Sequence, residues 1–332
     1  MGRESHSSSV NCTPNNIAAA VDGLLNLDKP AGLTSHDVVA RVRRGTRLAR
    51  VGHAGTLDPQ ATGVLLIGLG KGTKLVPFLQ EYPKTYRATL QLGVRTDTYD
   101  ATGKIIAVKA VGRVGAEQVA AVLAGFQGVI EQMPPMYSAL KRQGQRLYTL
   151  ARQGIEVERQ PRRVQIYRLT LLALSAATLT MEVECSGGTY IRVLADDIGA
   201  RLGCGAHLSA LTRTAVGPFA RDRAVTLEAF DVAVRQGRWR TDVLPLAQGM
   251  AGFPAIVVTP GAVHALSKGI APTAAQVWQL KGTFEVGGTV AIGGADGTLL
   301  AVGTATARTA ELTQMPATSP VVRLRRVFCE RR

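Results

Sequence analysis

The sequence predicts an α+β fold, with one large domain that mixes strands and helices and a small β-rich domain after it. Three observations carry this. Short apolar strand-like runs alternate with helical stripes across the first 250 residues or so. After Gly252-Phe253-Pro254 the composition turns rich in Val, Thr and Gly. Thr289-Val290-Ala291-Ile292 and Thr298-Leu299-Leu300-Ala301-Val302 then flank Gly293-Gly294-Ala295-Asp296-Gly297, a hairpin signature. A chain of 332 residues suffices for both domains. The expected organisation is a flexible tail over 1–20, a large domain over 21–250 and a small domain over 251–332.

The elements follow in order. Gly23-Leu24-Leu25-Asn26-Leu27 reads as a strand closed by the Asp28-Lys29-Pro30-Ala31-Gly32 turn. Thr34 stands three residues before Asp37, a capping-box spacing, and Val38, Val39 and Val42 continue a helical stripe to about Arg44. Residues 64–69 form an apolar run that suits a strand buried on both faces. Residues 85–92 alternate like a strand with one solvated face, and 116–123 read as a short helix. More strand-like segments lie within 168–185. Ile191, Leu194, Ile198 and Leu202 mark a helix face, with Thr189 or Gly188 as its expected N-cap. Thr259-Pro260 opens another helix, which Gly269 ends.

Lys and Arg total 39 against 24 acidic residues, a net charge of +15. That excess points to a polyanion, nucleic acid before an anionic membrane. Aromatic residues are only 5%, which fits one or two placed rings better than a broad stacking platform. No run of about 18 apolar residues exists, so no membrane span is expected. Residues 1–20 lack the apolar core of a signal peptide, so a cytoplasmic location is expected and the Asn11-Cys12-Thr13 sequon is idle. Cys12, Cys185, Cys204 and Cys329 form no CxxC pair and keep no zinc spacing to histidine. They read as reduced thiols, with no metal and no disulfide.

Several motifs fail on inspection. Gly68-Leu69-Gly70-Lys71-Gly72-Thr73 looks like a phosphate loop, but a Walker loop requires Gly at 65 and Ser or Thr at 72, where Leu65 and Gly72 stand. A dinucleotide loop requires Gly where Thr73 stands. The HxE–PCxxC deaminase pattern and the GxSxG elbow are absent from the sequence. Kinase, dehydrogenase, deaminase and α/β-hydrolase readings are dropped.

What remains is Gly52-His53-Ala54-Gly55-Thr56-Leu57-Asp58-Pro59. Taken alone, an Asp before Pro in a turn is most often a side-chain cap. Yet Pro59 biases Asp58 away from the α region, and Gly55 and Gly63 allow close backbone approach. Such a loop can display a carboxylate.

This stretch, with Gln60-Ala61-Thr62-Gly63-Val64-Leu65 behind it, resembles the central motif of the TruB family of pseudouridine synthases. The family's other motifs are resembled, in order, by residues 23–32, Lys84-Thr85-Tyr86-Arg87-Ala88, residues 133–141, Cys185-Ser186-Gly187-Gly188-Thr189-Tyr190-Ile191-Arg192 and, less strictly, residues 205–213. The match spans roughly residues 22–220. It implies a catalytic domain on a mixed, largely antiparallel sheet. A looser likeness of 253–328 implies a PUA-like RNA-binding domain.

The resemblance implies isomerisation of uridine to pseudouridine at position 55 in the tRNA T-loop. Asp58 would be the nucleophile or general base. Arg192 would hold it ionised, and Tyr86 would stack on the flipped uracil. Tyr190 would be a second site tyrosine, His53 would lie beside the flipped nucleotides and Leu211 would wall the uracil pocket. Lys29 would brace the pocket loop or touch phosphate. Residues 131–152 resemble an insertion that clamps the T-arm, with Lys141, Arg142, Arg146 and Arg152 on phosphates. The isomerisation involves no redox change and no net hydrolysis, so no cofactor is expected. Addition to uracil C6, attack at C1′ and a glycal route are all open to the carboxylate. The rival readings are a guide-RNA-dependent relative like dyskerin and a non-catalytic tRNA-binding or tRNA-folding protein. The stand-alone form, a monomer without guide RNA, is the expectation.

Overall fold

A computed structural model describes residues 21–330 apart from 138–140, 143–144, 147–152 and 156. Its main sheet runs Val225–Thr226, Gly23–Lys29, Thr62–Leu69, Ala206–Val216, Lys84–Leu92, Thr178–Cys185, Arg162–Leu174, Gly128–Gln132. Val51–His53 pairs with the flank of Thr62–Leu69, and Phe219–Ala220 with the end of Ala206–Val216. Two pairings are parallel, Gly23–Lys29 with Val225–Thr226 and Ala206–Val216 with Thr62–Leu69. The others are antiparallel, so the sheet is mixed and largely antiparallel as expected.

The apolar run in Thr62–Leu69 is explained by what covers it. Leu65, Ile67 and Leu69 face the helices Ser35–Thr46 and Leu227–Arg235, while Val64 and Leu66 join a second cluster with Tyr82 and Phe219. Both faces of this strand are dry, and alternation disappears. Lys84–Leu92 keeps its alternation, with Tyr86, Ala88, Leu90 and Leu92 turned to a third cluster beneath the helices Ala116–Ala124 and Ile191–Arg201.

Helix Ser35–Thr46 carries the expected capping box. Thr34 accepts from the Asp37 N–H, and the Asp37 carboxylate accepts from the Thr34 N–H. The N-cap of Ile191–Arg201 differs from expectation. It is Tyr190, with no side-chain cap, because Thr189 turns its hydroxyl back to the Ser186 carbonyl. Gln132 caps instead: its Oε1 accepts from the Tyr190 N–H at 3.0 Å and its Nε2 donates to the Tyr190 carbonyl at 3.3 Å.

The second sheet runs Val277–Lys281, Ala255–Val258, Thr289–Gly293, Leu299–Ala305, Val322–Val327. The expected hairpin joins Thr289–Gly293 to Leu299–Ala305. Helix Pro260–Ser267 has Thr259 as its N-cap residue and Pro260 inside the first turn. Ala291, Leu299, Val302 and Phe328 pack into the cluster that holds Leu24, Phe78, Leu79 and Tyr82, so the two sheets share one apolar seam. Among the described residues no helix is long and apolar enough to cross a membrane.

Tyr82 pins that seam. Its hydroxyl donates to the Gly249 carbonyl at 3.2 Å and accepts from the Gly252 N–H at 2.9 Å, and its ring packs on Phe219 and Phe253. Tyr82→Phe strands both backbone groups, at a cost of about 1–3 kcal/mol. Urea unfolding should show the loss, with the slope of the transition unchanged.

Candidate active site

Asp58 sits on the loop between Val51–His53 and Thr62–Leu69, and this loop has almost no ladder to hold it. Side chains hold it instead. Ser35, buried at the start of its helix, accepts from the Leu57 N–H at 2.8 Å and donates to the Leu57 carbonyl at 3.2 Å. The Lys29 ammonium donates to the carbonyls of Pro59 at 3.1 Å, Pro30 at 2.8 Å and Leu33 at 2.7 Å. The Gly32 N–H donates to the same Pro59 carbonyl at 2.9 Å. From the other side the Arg213 guanidinium donates to the carbonyls of Gly55 at 3.2 Å, Thr56 at 3.5 Å and Val64 at 2.7 Å. Gly55 has φ of +103°, a conformation that suits glycine.

Arg192 lies in the first turn of its helix, where the dipole disfavours a cation. Two carboxylates offset this. Nη2 stands 3.5 Å from Asp58 Oδ1 and Nη1 stands 3.4 Å from Asp100 Oδ2. Nη2 also donates to the Tyr137 carbonyl at 2.7 Å, which ties the start of the basic insertion to the site. Asp100 is itself fixed by the hydroxyls of Thr98 and Thr102.

Burial pushes the Asp58 carboxyl above the usual carboxylate range. Arg192 opposes that shift, while Asp100 adds to it. The Asp58 side chain keeps 44% of its surface open. It lies in a recess where protein surrounds it but one side meets water, and that contact restrains the rise. Burial pulls Lys29 down to about 8, with Asp58 as the main opposing influence. Burial also lowers His53, whose imidazole is thereby neutral near pH 7.

The structure gathers most of the expected site residues. Tyr86 lines the same cluster as Leu57, Ala61 and Ile191, with only 8% of its surface exposed. Leu211 is half-buried against that cluster and opposite Ala88 in the sheet. His53 pairs with Ile67, and its Nδ1 is a buried atom without a hydrogen-bond partner among the described residues. Arg192 Nε is another. Tyr190 is half-buried at the helix start, its backbone held by Gln132.

Lys29 is a correction. It was expected both as a brace and among substrate-binding groups, but it is wholly buried and its three donors are spent on carbonyls, which leaves none for a phosphate. Lys141 and Arg142 pair with Arg146 and Gln145 in a two-residue ribbon, and Arg152 lies outside the described residues.

The motif reading missed Ser35, Asp100 and Arg213 as parts of this site. Arg213 closed a stretch that was singled out for Leu211. Asp100 stands in the acidic turn Asp97-Thr98-Tyr99-Asp100, where nothing local signals Arg192. Ser35 follows the capping Thr34 and reads as helix start.

The chain is similar to known proteins along its length. Residues 43–191 match the TruB family pseudouridylate synthase N-terminal domain. Residues 192–248 match the tRNA pseudouridylate synthase B C-terminal domain, and 254–328 match the PUA domain. A tRNA pseudouridine synthase B of Syntrophotalea carbinolica is 47% identical over 279 residues, 84% of this chain and 90% of that one. One of Bordetella avium is 55% identical over 211 residues, 63% of this chain and 86% of that one. A solved Cbf5-Nop10-Gar1 complex contains a chain that aligns with a TM-score of 0.78 at 30% identity, over 93% of this chain and 85% of that one. The chain therefore belongs to the TruB family of pseudouridine synthases and is an isomerase.

Proposed function

We propose that this protein converts uridine 55 in the T-loop of tRNA to pseudouridine, with Asp58 as the reacting carboxylate and the target base flipped out of the loop. One observation carries the reading. A carboxylate on a side-chain-pinned loop faces a buried guanidinium, Asp58 Oδ1 to Arg192 Nη2 at 3.5 Å.

The names of the relatives, tRNA pseudouridine synthase B, support tRNA as the substrate. A T-loop base is stacked, and extruding it costs a few kcal/mol. Stacking on the Tyr86 ring returns roughly 1–3 kcal/mol of this. Leu211 closes the apolar side of the pocket, and neutral His53 fills the space beside the flipped nucleotide. Among the described residues, Arg192 Nε and His53 Nδ1 are buried without a hydrogen-bond partner. Arg192 holds the Asp58 carboxylate ionised and directs it at the ring or at C1′. Tyr190, next to Arg192 in the chain but one, supplies a second hydroxyl at the site. The net charge of +15 suits a phosphate-rich partner, and Lys141, Arg142, Arg146 and Arg152 lie along a segment that would follow the T-arm backbone. The 253–328 domain would hold the RNA stem away from the site.

A guide-RNA-dependent mode has one observation in its favour: a solved H/ACA ribonucleoprotein bound to a substrate RNA aligns with a TM-score of 0.76 at 27% identity. Incubation with an unmodified tRNA transcript and no other RNA decides between the modes. Pseudouridine should appear at position 55. Asp58→Asn should lose several orders of magnitude in single-turnover rate while still binding the transcript.

The pH profile follows from the raised Asp58 carboxyl. The reaction needs it ionised, so the rate is lost as pH falls through its raised value. The acid limb should lie above the free-Asp value of about 3.9. Arg192→Met removes the opposing cation and should move the limb higher still, as read from single-turnover rates against pH.

Arg142→Ala with Arg146→Ala tests the insertion. Each lost phosphate contact flattens log affinity against log salt by about 0.7–0.9. KM should rise while the saturated chemical step changes little. An unchanged slope would make this segment a solvated basic face.

A further inference from the structure

Arg213 heads the largest fully buried side chains of the fold, 1% exposed, and no carboxylate pairs with it among the described residues. An unpaired buried cation is costly, and an apolar residue of similar volume would pack the site without that cost. Its position explains what the cation does.

In the sheet, Arg213 stands between two site elements. On one side its Cα partner is Gly63, at the end of the Asp58 loop; on the other it is Tyr86. Gly63 has φ of +105° and approaches so closely that a Cβ would lie 2.1 Å from the Arg213 carbonyl oxygen. The guanidinium then reaches over the loop to the carbonyls of Gly55, Thr56 and Val64, and its charge opposes the rise that burial causes in the Tyr86 hydroxyl. Its fork thus spends its donors on carbonyls either side of Asp58, while its neighbour in the sheet is Tyr86.

We propose that Arg213 is a positioning residue for the isomerisation, one side chain that fixes the Asp58 loop in register with the strand that carries Tyr86. This rests on the reading of Asp58 and Tyr86 as the reacting carboxylate and the stacking ring. The planar fork is what the role requires. A lysine keeps the charge but is a point cation and cannot hold such divergent acceptors together. Nearby cations feel the charge as well: it opposes protonation of Lys29, Lys84 and His53.

The test uses the full chain as Arg213→Lys and Arg213→Gln, with unmodified tRNA transcript. A loop displaced by about 1 Å costs on the order of a hundredfold in rate. Single-turnover rates should fall by that order in both variants, while affinity for the transcript stays near that of the unaltered protein. Hydrogen exchange should show lost protection confined to residues 54–61, with Gly23–Lys29 and the second sheet protected as before. A near-normal rate in Arg213→Lys overturns the proposal. So does a parallel fall of rate, affinity, melting temperature and protection everywhere, which marks a purely structural residue. Where a variant melts below the assay temperature, Arg213→Ala with ethylguanidinium replaces it. Restored rate supports the proposal, and restored folding without rate overturns it. Should the unaltered protein leave the transcript unmodified, the function reading fails instead. Hydrogen exchange then still judges the tether by whether loss of protection is local to 54–61 or absent.

Discussion

A loop that displays a carboxylate outside any ladder must satisfy its own backbone groups in some other way. Residues 55–59 do so through buried side chains: Arg213 takes the carbonyls of Gly55 and Thr56, Ser35 takes both polar groups of Leu57, and Lys29 takes the carbonyl of Pro59. The braces come from three directions, a strand, a helix start and a strand end. Their common effect is to fix the backbone on both sides of Asp58. Geometry near Asp58 is therefore inherited from packing: the helix that carries Ser35 is seated by Val38, Val39 and Val42, and the strand of Arg213 by its pairing with Thr62–Leu69 and Lys84–Leu92.

The electrostatics follow from that construction. Bracing carbonyls with lysine and arginine places cations in the interior, where each disfavours the other's charge; burial and Arg213 together pull Lys29 down. Asp58 and Asp100 supply the compensating negative charge, joined through Arg192 at 3.5 and 3.4 Å. The recess thus holds a carboxylate whose pKa burial raises and a guanidinium that opposes the rise. A fully exposed carboxylate is well solvated and a fully buried unpaired one is protonated; Asp58, partly open and facing Arg192, lies between these limits.

The sheets tie this site to the rest of the molecule. Lys84–Leu92 carries Tyr86 to the recess and begins just after Tyr82, which pins the seam with the second domain. The second domain and Tyr86 are thus joined by one short stretch of backbone. The basic insertion is joined as well, through the Tyr137 carbonyl on Arg192.

Much of this was legible in the chain. The strand at 23–29, the capping box at Thr34 and Asp37, the buried run 62–69, the hairpin around Gly293–Gly297 and the two-domain division rest on local periodicity and turn chemistry, which sequence records directly. The Asp58 motif and its resemblance named the loop, and the resemblance set Arg192 beside Asp58, where the two stand 3.5 Å apart. Other features depended on contacts between residues far apart in the chain. Tyr190 replaced Thr189 as N-cap because Gln132, 58 residues away, capped the backbone and freed Thr189 to bond Ser186. Asp100 reached Arg192 across 92 residues and Arg213 reached Gly55 across 158. Lys29 became a spent brace only because its strand end was buried under Pro59. The sequence determined which residues could do chemistry. The tertiary structure decided which cations were used up holding carbonyls and which one, Arg192, was left facing Asp58, because hydrogen-bond saturation is a property of the packed site and not of the residue.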